Sequence, residues 1–471
     1  MSSPPAEEGH TPVYSSSGFE DSAFTKVSPE IWCEIMENVH AVRVPLAFAP
    51  GSSQKDLVSC SLSCRQLVYP SQSMLFKTLF LNSNKKVTSI LRSLSHAPHL
   101  ARHIRQLVIV HGSHGISWSG DKDEIMALQA LCTGVVQLYV HPGHRFENLS
   151  NSTLPDGVTA NTRICQTGLL FRSLPSVHTI QVTMRSSEQA TALPKFLNGY
   201  IGLRTLIVVN FRDKGPSGGY EVGPQFSLQN LVLYSSSITD KDFLLWLIPA
   251  LKELKHLDIK GNMAFTWENW NYAMQGKTIP FIDISFRDWI RRIGGPVTDL
   301  RINMADSGQG KCDNYYDAHN KDIATDRKQI SGLNELLSLL EYTPRVQKLT
   351  IGRLSMFKTS PMSFNRIIEV STQRRLASLS LNFFVETSDD KYSDTQAAED
   401  LWRDFQSTLK EQRWGPLTYE INLDFTFVCK NRDIPAHFRE IYVTLEERLF
   451  EILQPFSSRR LLRISRGRSF F

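Results

Sequence analysis

One hydrophobic phrase recurs along the chain: apolar-x-x-apolar-x-apolar. Between 203 and 262 it is written three times, as Leu203-x-x-Leu206-x-Val208, Leu228-x-x-Leu231-x-Leu233 and Leu254-x-x-Leu257-x-Ile259. Each copy returns after about 25 residues, the period of a leucine-rich repeat. Alternation at period two places Leu257 and Ile259 on one face of a short strand, and His256, Asp258 and Lys260 on the other. The phrase recurs at 104–109, 135–140, 177–182, 297–302, 346–351 and 376–381, with a weaker opening copy at 76–81. Such regular succession predicts strands laid side by side, each burying its apolar face only against its neighbours.

Between the copies, helical spacing predicts return helices over 121–132, 240–252 and 330–341. Strand alternating with helix gives an α/β solenoid of parallel strands. Two stretches break the period, 263–296 and 303–329, and are expected to be loops inserted on one edge. The spacing of Ile441, Leu445, Leu449 and Leu453 predicts a closing helix over 436–454, followed by a basic end carrying Arg459, Arg460, Arg463, Arg466 and Arg468.

The front of the chain follows another pattern. Residues 1–23 are rich in Ser, Pro, Gly and Glu, and read as a disordered tail. Ser28-Pro29-Glu30 is a helix start, with a serine cap, a proline at the first helical position and an acid against the helix dipole. Ile31, Ile35 and Val39 follow at helical spacing with Trp32 and Met36 alongside, a stripe wide enough to face two partners. A second helix is expected over about 55–68, with Leu57, Cys60, Cys64 and Leu67 on one face and Val58 and Leu62 beside it, ended by Pro70.

These residues carry a resemblance. Val27-Ser-Pro-Glu-Ile-Trp-x-x-Ile, then Asp56-Leu-Val-x-Cys-Ser-Leu-x-Cys64-Arg65-x-Leu, then Leu75-Phe76-x-x-Leu79, resemble the F-box of fungal F-box proteins with degenerate leucine-rich repeats. The resemblance implies an N-terminal helical F-box followed by an irregular leucine-rich-repeat solenoid. It implies four parts: a tail over 1–23, an F-box-like domain over 24–80, repeats over 81–435, and a helical cap with basic tail over 436–471. It implies a substrate-recognition subunit of a Skp-cullin-F-box ubiquitin ligase, a binding protein and not an enzyme. Its partners would be a Skp-family adaptor, through it a cullin, and a protein target. Pro29, Ile31, Ile35, Leu57, Cys60 and Cys64 stand where the pattern puts adaptor-facing or helix-packing residues. The alternative is a repeat scaffold whose N-terminal helices only cap the solenoid.

Target binding is expected on the outward face of the middle strands. Ile207, Val209, Val232 and Tyr234 make it apolar where a sheet face in water would be polar. His256, Asp258, Asp299 and Arg301 flank them as a charged rim. The alternative is that the aromatic-rich stretch 263–296 folds over these residues.

Composition narrows the class. Charged residues make up 21% and hydrophobic residues 41% of 471 residues, the balance of a folded domain with polar surface. A net charge of +5 is too small to announce a nucleic-acid partner, and none is expected. Seven scattered cysteines point to a reducing compartment, cytoplasmic or nuclear. The longest apolar run, 243–251, contains a proline and is too short for a bilayer, so no membrane contact is expected.

Other candidate chemistry gives way to plainer readings. The segment 305–312 has alanine where a phosphate loop needs glycine and Cys312 where it needs a hydroxyl, so it reads as a loop. His111, His114, His141 and His144 lack a third ligand at matching spacing and read as turn histidines rather than a metal site. No catalytic constellation assembles, and no cofactor is expected.

Overall fold

The computed structural model describes residues 28, 30–32, 34–36, 52–63, 65–81, 84–111, 122–142, 174–183, 193–209, 222–234, 241–260, 286–303, 339–355, 367, 370–371, 373–386, 420–429 and 462–470. The expected tail over 1–23, the insertion 303–329 (save its first residue), the segment 305–312 and the closing helix over 436–454 lie outside the described residues, as do Pro29 and Cys64. The chain is mixed helix and strand with a parallel sheet. It divides into two compact units, Met1–Val108 with Ser117–Val135, and Ile109–Ile116 with Val136–Phe471.

The first unit begins with helical residues 30–32 and 34–36, and the Trp32 amide donates to the Ser28 carbonyl at 3.2 Å. Helix α1 spans Ser52–Ser63 and α2 spans Arg65–Lys77. The single helix expected over 55–68 is therefore two. Ser61 and Ser63 turn their hydroxyls onto the Val58 and Ser59 carbonyls, both at 2.7 Å. Such back-bonding weakens a helix and helps to end it. Pro70 does not end a helix; it is buried in the middle of α2. A proline there forfeits one backbone bond, while Leu67 and Met74, buried on either side, hold the helix to the core.

That core is small: Met36, Leu57, Leu67 and Met74, with Trp32, Cys60 and Leu75 packed against it. Strand β1 (Thr78–Leu81) buries Leu79 and Leu81, as the opening phrase predicts. It neighbours β2 (Gln106–His111), which starts in this unit. Helix α3 (Asn84–His96) buries Val87 and Leu94. Helix α4 (Lys122–Leu131) lies within the return expected over 121–132, and Thr88 of α3 donates to the Glu124 carboxylate of α4.

The second unit is a ladder. Strands β3 (Gln137–Pro142), β4 (Thr179–Thr183), β5 (Thr205–Val209), β6 (Asn230–Tyr234), β7 (His256–Lys260), β8 (Asp299–Asn303), β9 (Lys348–Ser355), β10 (Ser378–Glu386), β11 (Glu420–Cys429) and β12 (Leu462–Phe470) pair in chain order, every pair parallel. The three apolar slots of the phrase stack in register. Val177, Leu203, Leu228, Leu254, Val297, Val346 and Leu376 are buried in the first slot. Ile180, Leu206, Leu231, Leu257, Leu300, Leu349, Leu379 and Ile421 fill the second.

Among the described residues, successive strands from β4 to β10 are locked in by one motif. The carbonyl just before a strand accepts two amides from the next lead-in: His178 from Arg204 and Thr205, Arg204 from Gln229 and Asn230, Gln229 from Lys255 and His256, Lys255 from Thr298 and Asp299. One carbonyl using both lone pairs fixes the register of the following strand and leaves no orphan donor at its start.

Two expectations need correction. The stretch 263–296 is not all loop: α6 spans Phe286–Ile293, after α5 (Lys241–Leu247) on the preceding return. Trp289, Ile290 and Ile293 are buried, and the Trp289 indole donates to the Leu244 carbonyl at 3.1 Å. A Cβ on Gly294, just after α6, would overlap the Tyr342 and Ile290 carbonyls, so the close approach requires glycine there. The basic end is not a mere tail either, for Leu462–Phe470 is the last strand of the sheet.

Candidate binding surfaces

In the first unit the wide stripe of the opening helix splits into two edges. Trp32 and Met36, four apart, close onto the core. Ile31 and Ile35, also four apart, are 50% and 39% exposed. Glu30 begins this helix, and its carboxyl is held below the ordinary value by a bond from its own backbone amide and by the Ser28 hydroxyl. The acid thus stands at the helix start, as Ser28-Pro29-Glu30 predicts, and its carboxylate satisfies an amide there.

The second helix does the same one residue out of phase. Leu57 is wholly buried and Cys60 packs beside it, so of the two roles open to them, facing a partner or packing helices, both take packing. The residues turned outward are Val58 and Leu62, at 44% and 81% exposure. Sequence reasoning placed these two beside the face and not among the candidates. The missing signal was which edge of the stripe the first helix covers. Four aliphatic side chains on these two helices, Ile31, Ile35, Val58 and Leu62, are thus left exposed.

On the second unit the outward positions stand in the rows that the phrase implies. Ile207, Val232, Asp258 and Arg301 are register partners across β5 to β8, and Val209 pairs with Tyr234. Thr205, Asn230, His256 and Asp299 form the neighbouring row. Ile207, Val209, Val232 and Tyr234 are half-buried.

The charged flank is a set of bonded groups. The Asp299 side chain, only 10% exposed, sits 3.2 Å from the His256 ring nitrogen and 3.5 Å from Arg301 Nε. Asn230 donates to the Thr205 hydroxyl at 2.9 Å. Asp258 is buried. His256 and Arg301 present their exposed sides to solvent, 53% and 55% of each side chain. The structure thus brings the eight strand-face candidates together on four adjacent strands, with Asp258 and Asp299 set deep and the His256 and Arg301 side chains more exposed. An extended or helical segment laid on this face would meet aliphatic and aromatic side chains first, and charge at one side.

Among the described residues, no group of three or more His, Cys, Asp or Glu could hold a metal ion, and no helix is long and apolar enough to cross a membrane. The Cys132 thiol is pushed up to about 12 by burial, the state of an inert core cysteine. No protein-family model matches the chain, and no curated protein matches it.

Proposed function

We propose that this chain is a substrate receptor of a Skp-cullin-F-box ubiquitin ligase: an F-box-like unit that holds a Skp-family adaptor, followed by a leucine-rich-repeat-like solenoid that presents a protein target. The observation that carries the reading is the split stripe. Ile31 and Ile35 stay exposed on a helix whose other edge already closes a core, inside the stretch that resembles the F-box. A helix serving only as a cap has no need of a second apolar edge. The sheet supports the other half: parallel strands in chain order give a long face, and β5 to β8 make it apolar with a charged flank. Catalysis would belong to the other subunits of the assembly.

The test is co-expression with a Skp-family adaptor followed by size exclusion. A specific interface of about 1,200–2,000 Å² draws most of its energy from a few central side chains. Ile35→Asp would place an unpaired carboxylate in that contact at a cost of several kcal/mol and abolish co-elution. Ile35 is exposed in the free chain, so the same change should move stability by no more than about 0.5 kcal/mol. Co-elution that survives Ile35→Asp would remove the adaptor reading. On the other half, Tyr234→Ala combined with Arg301→Glu should reduce capture of a target identified with the wild-type chain.

A further inference from the structure

The lead-in turns of the second unit make an edge of the sheet that neither the strand face nor the helical core uses. Arg204 stands there before β5, Lys252 and Lys255 before β7, Arg345 before β9, and Arg374 and Arg375 before β10. All six are exposed. None has an ionic, hydrogen-bonding or ring partner for its side chain among the described residues. Among the described residues, the acids beside them are Glu253 on the β7 turn and Glu341 just ahead of the β9 turn. Surface cations usually alternate with acids; six against two leaves an excess of one sign along this edge.

The backbone sets the spacing of these turns. Because each lead-in is stitched to the one before through a shared carbonyl, the turns repeat at the strand spacing. From β5 to β10 that is about 24 Å, enough for some seven residues of extended polypeptide.

Arg375 supplies a second, independent sign. Its φ of 54° lies in the left-handed region, and it is the only such non-glycine among the described residues. The position follows a helical turn, where glycine is the residue that fits. Keeping an arginine there strains the backbone and gains nothing in packing, since the side chain is exposed. Strain retained at an exposed cation points to a use for the cation.

One end of the line is apolar. Ile201 and Val222 are 78% and 58% exposed. Their segments are tied by Asn198, which donates to the Gly223 carbonyl at 3.1 Å and accepts from the Gln225 amide at 3.0 Å. Among the described residues, Tyr200 and Phe226 on these turns are buried, and the Tyr342 ring already carries the Arg291 guanidinium at 4.7 Å. A single-stranded nucleic acid would ordinarily find stacking platforms along its cationic groove.

We propose that this edge docks an acidic, amphipathic polypeptide segment, its carboxylates along Lys255, Arg345, Arg374 and Arg375 and an aliphatic side chain against Ile201 and Val222. The surface is separate from the adaptor site and the strand face, and stands whether or not the adaptor reading holds.

The experiment uses the full chain and fluorescence anisotropy with three labelled probes: a sixteen-residue peptide of glutamates interrupted by two leucines, its glutamine counterpart, and a twenty-nucleotide oligouridylate. The acidic peptide should bind in low salt, weaken as salt screens the edge, and lose about tenfold or more in Lys255→Glu/Arg345→Glu/Arg375→Glu. The glutamine peptide should bind at least about tenfold more weakly than the acidic one. Arg375→Gly guards against misfolding, because it relieves the backbone: weaker peptide binding together with a higher melting temperature can only report the lost guanidinium. The proposal is overturned if the triple variant binds the acidic peptide as well as wild type, if no peptide binding is seen in low salt, or if oligouridylate binds more tightly than the peptide. The last result would make the edge a nucleic-acid surface.

Discussion

In the first unit, three short helical stretches close a core around Met36, Leu57, Leu67 and Met74, each from a different part of the sequence. In the second, strand after strand offers the same inward positions, from Leu138 and Val140 to Ile421 and Leu423. That cluster draws only one or two side chains from each stretch, so a loss there is felt across the whole of it. The repeated core spreads burial along a line, and a local loss stays local. The exposed aliphatic side chains of the first unit, Ile31, Ile35, Val58 and Leu62, lie outside its small core, whereas on the outward face of the second the aliphatic side chains and Tyr234 are half-buried.

The largest effect should come from cutting each core at its centre. Leu57→Ala and Leu257→Ala each remove a wholly buried leucine and should cost about 2–5 kcal/mol. Their signatures in calorimetry should differ: Leu57→Ala should erase or strongly lower one transition and leave the other in place, while Leu257→Ala should broaden the transition of the strand ladder. Identical traces for the two variants would break the comparison.

A smaller effect, of opposite sign, belongs to the lead-in turns. Arg375→Gly releases a left-handed residue and should stabilise the second unit by about 1 kcal/mol, read as a raised denaturation midpoint. Destabilisation would mean that the arginine side chain is a packing element after all.

The smallest effect concerns pH and the first unit. His103 is buried, edge-on to Tyr69 at 5.1 Å, with the Arg102 guanidinium 5.5 Å over the same ring. Burial first, then the nearby Arg102, His99 and Arg105, hold its pKa below the ordinary 6.5. The folded state therefore favours the neutral ring. Stability from this group is complete above pH 6.5 and falls as the pH drops from 6.5 toward the lower folded value. His103→Gln should flatten that slope in melting curves between pH 7 and 5, and an unchanged slope would assign it to other groups.

Much of this was legible in the sequence. Ten copies of the phrase, the weak one at 76–81 included, coincide with strands of the sheet, because a period-two pattern with a leading apolar residue specifies both the strand and the turn before it. The last two strands escaped for the same reason. Aligned on their neighbours, β11 and β12 have Thr418 and Arg459 where the leading apolar residue should be. Yet Leu462 and Ile464 alternate with Arg463 and Ser465 in the strand manner. The α6 helix was obscured by aromatic residues that suggested an insertion, and only the contact of Trp289 with Leu244 reveals a return helix. For the helical unit, the stripe was legible but not its inner edge: Leu57 and Val58 are equally apolar, and only the position of Met36 decides between them.

The shared carbonyls of the ladder carry a direction in time. In the pairs running from His178 to Thr298, the acceptor lies on the earlier strand and the two donors on the later one. In these bonds each strand thus finds its acceptor already laid down when it leaves the ribosome. One bond points the other way, from the Leu228 amide forward to the Ala250 carbonyl, so the lead-in of β6 is completed only when the following return has been synthesised. Growth by one strand at a time suits a long parallel sheet, whose distant pairings would otherwise be slow to form.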